Sequence, residues 1–206
     1  MGAFKGSISC ALYHVDGVPE AGYRDAFMER IHEFRFVDLT PDAEDDLRWG
    51  WCCAEDMLDT DFTKAKVFHN DYVCLGLRVD RWSLPGALLK ARIARREEQK
   101  KQEFQKAKLL RSEKEAIREF VAREMKQQML PAATMVDMVW NVDQREVRFW
   151  SQSTGRREQF EELFESTFQL RLVHSNPYVA ALNCGLSDDL VGRLADVEYA
   201  RFSSLG

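Results

Sequence analysis

The run PGALLKARIARREEQKKQEFQKAKLLRSEKEAIREFVAREMKQQML, residues 85–130, decides how this chain is read. It holds thirteen Lys and Arg against seven Glu, a surplus of six positive charges inside a chain of net charge −5. Such separation of charge gives a polyanion, or an acidic protein face, one preferred place to dock. Ser83-Leu84-Pro85 opens a helix, because proline supplies the helical φ and lacks only an amide that the first turn leaves unpaired. Leu130-Pro131 closes the run. Ser112-Glu113-Lys114-Glu115 has the spacing of a capping box, so a second helix start lies inside, and the run predicts two helices rather than one rod. From Ser112 on, Ile117, Phe120, Val121, Met125 and Met129 recur at three- and four-residue spacing, which predicts a buried stripe centred on Ile117 and Phe120. The first helix has Leu88, Leu89 and Ile93 near its start, then Arg95, Arg96, Glu97, Glu98, Lys100 and Lys101, with no large apolar residue until Phe104. Its distal half is expected in solvent or against a partner.

Outward from this pair, the chain alternates strands and helices. Phe4 to Val15 reads as a strand with Ile8, Cys10 and Leu12 on one side, and Pro19 to Phe34 as a helix through Tyr23, Phe27, Ile31 and Phe34. An acidic, turn-rich segment spans Asp38 to Asp46. Arg48 to Cys53 predicts a short strand, and Lys66 to His69 with Asp71 to Asp80 predicts a hairpin whose second strand is apolar enough to be central. Beyond the helical pair, Met135 to Trp140 and Glu146 to Ser151 flank the polar turn Asn141-Val142-Asp143-Gln144. Gly155 to Phe168 returns to helix, and Leu170 to Val173 adds an edge strand. This order specifies an α+β fold with a largely antiparallel sheet and a basic two-helix insertion. Residues 1–175 form one domain on this reading. Residues 176–206 form a tail with a short helix started by Ser187, where Asp188 and Asp189 suit the helix dipole.

At 206 residues and 45% hydrophobic composition, the chain can bury a substantial core. No apolar run approaches the ~20 residues of a membrane span and no signal peptide opens the chain, so a cytoplasmic protein with no membrane contact is expected. The five cysteines include no C-x-x-C pair, and buried reduced thiols are the expectation. His14, His32, His69 and His174 lie far apart, with no two at metal-ligand spacing. Cys52 or Cys53 with His69 is a weak nucleophile and base pair. Asp137 on one strand with Glu146 and Arg148 on the next loosely resembles the acidic pair and basic residue of restriction-type nucleases. Neither pattern outweighs its structural reading, so no enzyme and no cofactor are expected. The tryptophans Trp49, Trp51, Trp82, Trp140 and Trp150 read as core or interface.

One set of residues in order carries a family likeness: Phe4-Lys5, Gly50-Trp51, Ser83-Leu84-Pro85, the Ala- and Lys-rich helix Leu88 to Lys101, Leu130-Pro131 and Val139-Trp140. Across most of Ala3 to Val173 the chain resembles the bacterial recombination-associated protein RdgC family. The resemblance implies an RdgC-like α+β protein that forms a ring-shaped dimer, holds double-stranded DNA without sequence preference and restrains recombinase-driven strand exchange, near the nucleoid. The cations that meet the phosphate backbone, or an acidic partner, are then Lys90, Arg92, Arg95, Arg96, Lys100, Lys101, Lys106, Lys108 and Arg111. Where the family continues Leu-Pro-Arg-Ala-Phe, this chain reads Leu130-Pro131-Ala132-Ala133-Thr134, and it is shorter than a usual member. These differences motivate a second expectation. A shortened relative that has lost DNA contact would self-associate as an assembly or interaction protein, pairing its basic helix with acidic surfaces such as its own Asp42 to Asp46 loop.

Overall fold

Eight consecutive buried residues, Val73 to Asp80, mark a strand covered on both faces, and the rest of the architecture is arranged around it. The computed structural model describes residues 9–43, 45–176, 181 and 184–193. In chain order the elements are β1 (Ala11–Asp16), α1 (Tyr23–Glu33), β2 (Leu47–Cys52), α2 (Lys64–Val67), β3 (Phe68–His69), β4 (Tyr72–Arg81), α3 (Gly86–Glu103), α4 (Arg111–Gln127), β5 (Ala132–Asn141), β6 (Glu146–Phe149), α5 (Thr154–Phe168), β7 (Arg171–His174) and α6 (Asp188–Arg193). Seven strands form one open sheet in the order β2-β4-β5-β6-β1-β7, with β3 also on β4, and every strand pair is antiparallel. The α+β class, the antiparallel sheet and the division of the basic run into two helices agree with the sequence reading.

Alternation along the strands sends one set of side chains into the core. Val73, Leu75, Leu77 and Val79 of β4 lie beside Trp140, Met138, Val136 and Thr134 of β5 in register. Helices α1 and α5 cover this face with aromatic rings. Phe160 stacks on Phe149 with centroids 4.2 Å apart, Phe27 meets Trp140 at 5.6 Å, and Phe168 touches both Phe27 and Trp140. Polar atoms at the junction of α1 and α5 are paired, as burial favours, whereas the buried Trp140 Nε1 has no hydrogen-bond partner among the described residues. Trp51 Nε1 donates to Thr167 Oγ1 at 2.8 Å, whose own hydroxyl donates to the Leu163 carbonyl. Arg30 of α1 donates to the carbonyls of Ser166 and Thr167, fixing the two helices together. Gly50 permits a close crossing here. A side chain at this position would begin 2.7 Å from the Phe36 backbone, where the segment after α1 bonds along β2 through Phe36 N–H to Trp51 O and Trp51 N–H to Phe34 O.

On the opposite face of β4, Arg78 and Asp80 form a buried ion pair with bonds of 3.0 and 2.7 Å. The Arg78 guanidinium lies 4.0 Å over the Phe36 ring. It also reaches Asp38 at 3.3 Å and the Met57 carbonyl at 3.4 Å. Asp80 bonding, more than any other influence, holds the Arg78 charge in place against the cost of burial.

Several local expectations are corrected. In β1 it is Ala11, Tyr13 and Val15 that are buried, while Leu12 faces outward; Phe4, Lys5 and Ile8 lie outside the described residues. Lys64–Val67 forms a single helical turn before the two-residue strand Phe68–His69, where a longer strand from Lys66 was expected. The second basic helix begins at Arg111, and its end amide at Leu110 is capped by Glu113 Oε2 at 2.8 Å rather than by a Ser112–Glu115 box. Between the helices, Gln105 adopts φ 49 and turns the chain back. At the tail, Asp188–Arg193 is helical and Val191 N–H bonds the Ser187 carbonyl, as the acidic first turn predicted.

The stripe of α4 is narrower than its spacing implied. Leu109, Ile117, Val121 and Met125 form a small core with Leu84, Leu89 and Ile93 of the partner segment, while Phe120 is 51% exposed and Met129 lies beyond the helix. Ile117→Ala is therefore expected to cost about 2–4 kcal/mol and Phe120→Ala less than about 1.5 kcal/mol. Paired thermal melts of the two variants check the order, and a larger loss for Phe120→Ala would invert this packing.

Candidate nucleic-acid interface

Helices α3 and α4 leave the sheet after β4 and return into β5, folding against each other as an antiparallel pair. Side chains four and three apart share one side of a helix, so Leu89, Ile93, Arg96 and Lys100 form a single row along α3. Its first two members pack against Leu109 of the turn and Ile117, Val121 and Met125 of α4. The row then changes from apolar to cationic. No residue of α3 is buried, so this 18-residue helix rests on α4 through partly covered side chains alone.

The nine cations expected to meet a polyanion fall into groups along this hairpin. Arg92 donates to Gln128 Oε1 at 3.1 Å and so bridges the two helices near their base. Arg96 lies with its guanidinium carbon 5.2 Å from the Phe120 ring centroid and makes a long contact of 3.5 Å with Gln99 Oε1. Lys101 pairs with Glu98 at 3.3 Å and Lys106 with Glu113 at 2.7 Å. Lys90, Arg95, Lys108 and Arg111 are exposed and hold no ion pair among the described residues. Lys100 is half-buried beside Phe104 in the cleft between the helices. The cations thus surround α3 and continue through the turn, rather than forming one flat stripe.

Electrostatics at the turn favour the charged form of Glu113. Hydrogen bonding from the Lys106 ammonium, then from the Leu110 amide, holds the Glu113 carboxyl below the usual carboxylate range. The contribution of this cap is present above the ordinary carboxylate pKa and is lost as pH falls through the depressed value.

The acidic loop is already engaged within the chain. Arg123 of α4 lies 3.5 Å from Asp42, Lys126 lies 2.6 Å from Asp46, and the Asp46 carbonyl accepts from Trp82 N–H. Of the loop expected to face basic helices, Asp42 and Asp46 pair with α4 of their own chain while staying largely exposed, and Glu44 lies outside the described residues. Sequence gave no signal for this contact, since Arg123 and Lys126 stand on the face of α4 that looks solvated when the helix is read alone.

Other constellations do not assemble. Among the described residues no group of three His, Cys, Asp or Glu side chains is placed to hold a metal ion. Asn141 is the partner of Glu146 in the β5–β6 register, which sets Asp137 four residues away along the strand, roughly 13 Å. Arg148 is bonded to Glu146 at 2.7 and 2.8 Å, and Asp137 is buried. Burial pushes the Cys52 thiol up to about 12 and the Cys53 thiol up to about 11, so neither is poised as a thiolate. No helix among the described residues is long and apolar enough to cross a membrane. Trp51, Trp82 and Trp140 are core residues.

The residues missed by sequence are aromatic. Phe104 closes α3 with 55% of its surface exposed, and Phe120 faces the same cleft from α4. Lys106 Nζ lies 5.9 Å from the Phe104 ring. The one available signal was the return of an aromatic at Phe104 after a long polar stretch. Set against known proteins, the chain matches no family model and no curated protein is significantly similar to it.

Proposed function

We propose that this chain is a non-catalytic protein that binds double-stranded DNA without sequence preference, acts as an oligomer and modulates recombination in the manner of the RdgC family it resembles. One observation carries the reading: an 18-residue helix that buries none of its own residues rests on α4 and displays Lys and Arg on several sides. Folding gains little from such a helix, since exposed ion pairs like Lys101–Glu98 contribute at most a few tenths of a kcal/mol. Its cations are suited to phosphates, which are spaced along the nucleic acid and carry no sequence information. Asp42 and Asp46 are already paired with Arg123 and Lys126 of their own chain, which supports the DNA reading by leaving the competing self-association reading fewer unengaged acidic groups. On this reading the protein works in the cytoplasm, at the nucleoid.

Binding of two unrelated random duplexes, followed by fluorescence anisotropy between about 50 and 200 mM salt, tests this. The expected result is equal affinity for both duplexes and a loss of about a hundredfold or more across that range, as for a protein neutralising several phosphates. Affinity that differs strongly between the duplexes, or that ignores salt, would overturn it.

A further inference from the structure

The groove between the distal halves of α3 and α4 has a volume of about 370 Å³ and is lined by Arg96, Lys100, Phe104, Ile117 and Phe120, with Glu103 as its one acid. Three features of it point to the same ligand. Phe104 and Phe120 each leave about half their surface to solvent, from two different helices, so two aromatic rings are offered at one place. A guanidinium and an ammonium accompany them, Arg96 at 5.2 Å from Phe120 and Lys106 at 5.9 Å from Phe104. The groove is continuous with the basic surface of α3 through the row Leu89, Ile93, Arg96 and Lys100. A ring with a cation beside it is the combination on which unpaired bases stack, each base presenting a π-face and each nucleotide a phosphate. Paired bases inside a duplex have both faces covered and cannot use it.

We infer that this groove is a stacking site for unpaired nucleotides of single-stranded nucleic acid, seated on Phe104 and Phe120 and charge-matched by Arg96, Lys100 and Lys106. The inference rests on the proposed reading that the basic hairpin contacts the phosphate backbone, and adds to it a ligand class that duplex binding does not require. Stacking is indifferent to sequence, because every base has a π-face. The site therefore gives single strands an advantage over duplex without giving one sequence an advantage over another.

The test uses the full chain, short oligo(dT) and a random duplex of equal length, with affinities compared for wild type, Phe104→Ala, Phe120→Ala, the double variant, and Phe120→Tyr as a conservative control. The expected result is a loss of about 5-fold or more in oligo(dT) affinity for each Ala variant, with unchanged duplex affinity and near wild-type binding by Phe120→Tyr. Equal losses on both ligands, or no loss on oligo(dT), would overturn the stacking site. So would an Ala variant that alters the mass of the protein in solution without altering oligo(dT) binding, since the groove would then hold another copy. Circular dichroism melts show whether each variant is folded, and Phe104→Leu, which keeps bulk but removes the ring, repeats the test if the Ala variants unfold. Charge reversal outside the groove, at Arg95 and Lys101, separates the two ideas. If it weakens both ligands while the Phe variants change nothing, the stacking site falls and the backbone reading stands; if it weakens neither, the backbone reading falls.

Discussion

Reversing four charges on α3, with Arg95, Arg96, Lys100 and Lys101 all changed to Glu, should lower duplex affinity at low salt by about a hundredfold or more and flatten its salt dependence. Each cation that meets a phosphate releases counterions, and the slope of log affinity on log salt is about −0.9 per contact, so both quantities must fall together. The variant should still fold. None of the four is buried, Arg95 holds no ion pair among the described residues, Lys101 pairs only with exposed Glu98, and Arg96 and Lys100 border Ile117 at the groove without belonging to the small core of Leu109, Ile117, Val121 and Met125. A folded variant with undiminished affinity for random duplex would remove α3 from the binding surface.

Asp80→Ala is the second large effect, this time on stability. Asp80 is 1% exposed and bonds Arg78 through both carboxylate oxygens, so its removal leaves a buried guanidinium without its main counter-charge. Breaking one side of such a pair costs about 3–5 kcal/mol, against a total of roughly 5–15 kcal/mol for an ordinary domain. Asp38, the other carboxylate near Arg78, is largely in solvent and replaces little of this. Changing both partners at once, Arg78→Met with Asp80→Leu, should be less damaging than Asp80→Ala alone, because no charge is then stranded in the interior. Chemical denaturation of the three proteins checks the order. A loss below about 1 kcal/mol for Asp80→Ala would mean that water reaches Arg78.

How far these features can be read from sequence varies with the range of the forces that produce them. Strand β4 was legible because a long apolar run reports burial on both faces, and the aromatic spacing of Phe160, Leu163, Phe164 and Phe168 fixed α5 in the same way. The inward face of β1 was not, since Cys10 and Leu12 are as apolar as Ala11 and Tyr13 and only the neighbours decide which set turns inward. Phe120 was misplaced for a related reason. A helix covered by a broad core buries five or six residues of its stripe, but α4 meets α3, whose cover extends only to Ile117, Val121 and Met125 on that stripe. The start of α4 shifted because Glu113 could reach Leu110 N–H, a choice decided by the turn at Gln105 rather than by the Ser112 spacing. The nine cations were singled out from composition alone. Their arrangement around α3, and the meeting of Phe104 with Phe120 across a turn, depend on how two helices dock.

Strands β4 and β5 pair over ten positions from Tyr72–Asn141 to Arg81–Ala132, yet everything in residues 82–131 intervenes between their adjoining ends. No tight turn exists to start that ladder. The central pairing of the sheet must wait until a long connector has drawn its own ends together, and local helix formation is the faster event. The α3–α4 pair is thereby cast as the element that sets the pace of folding, acting as a clasp before it serves as a surface. Ile117 and Val121 should then be formed at the rate-limiting barrier, so that shortening them slows refolding rather than hastening unfolding.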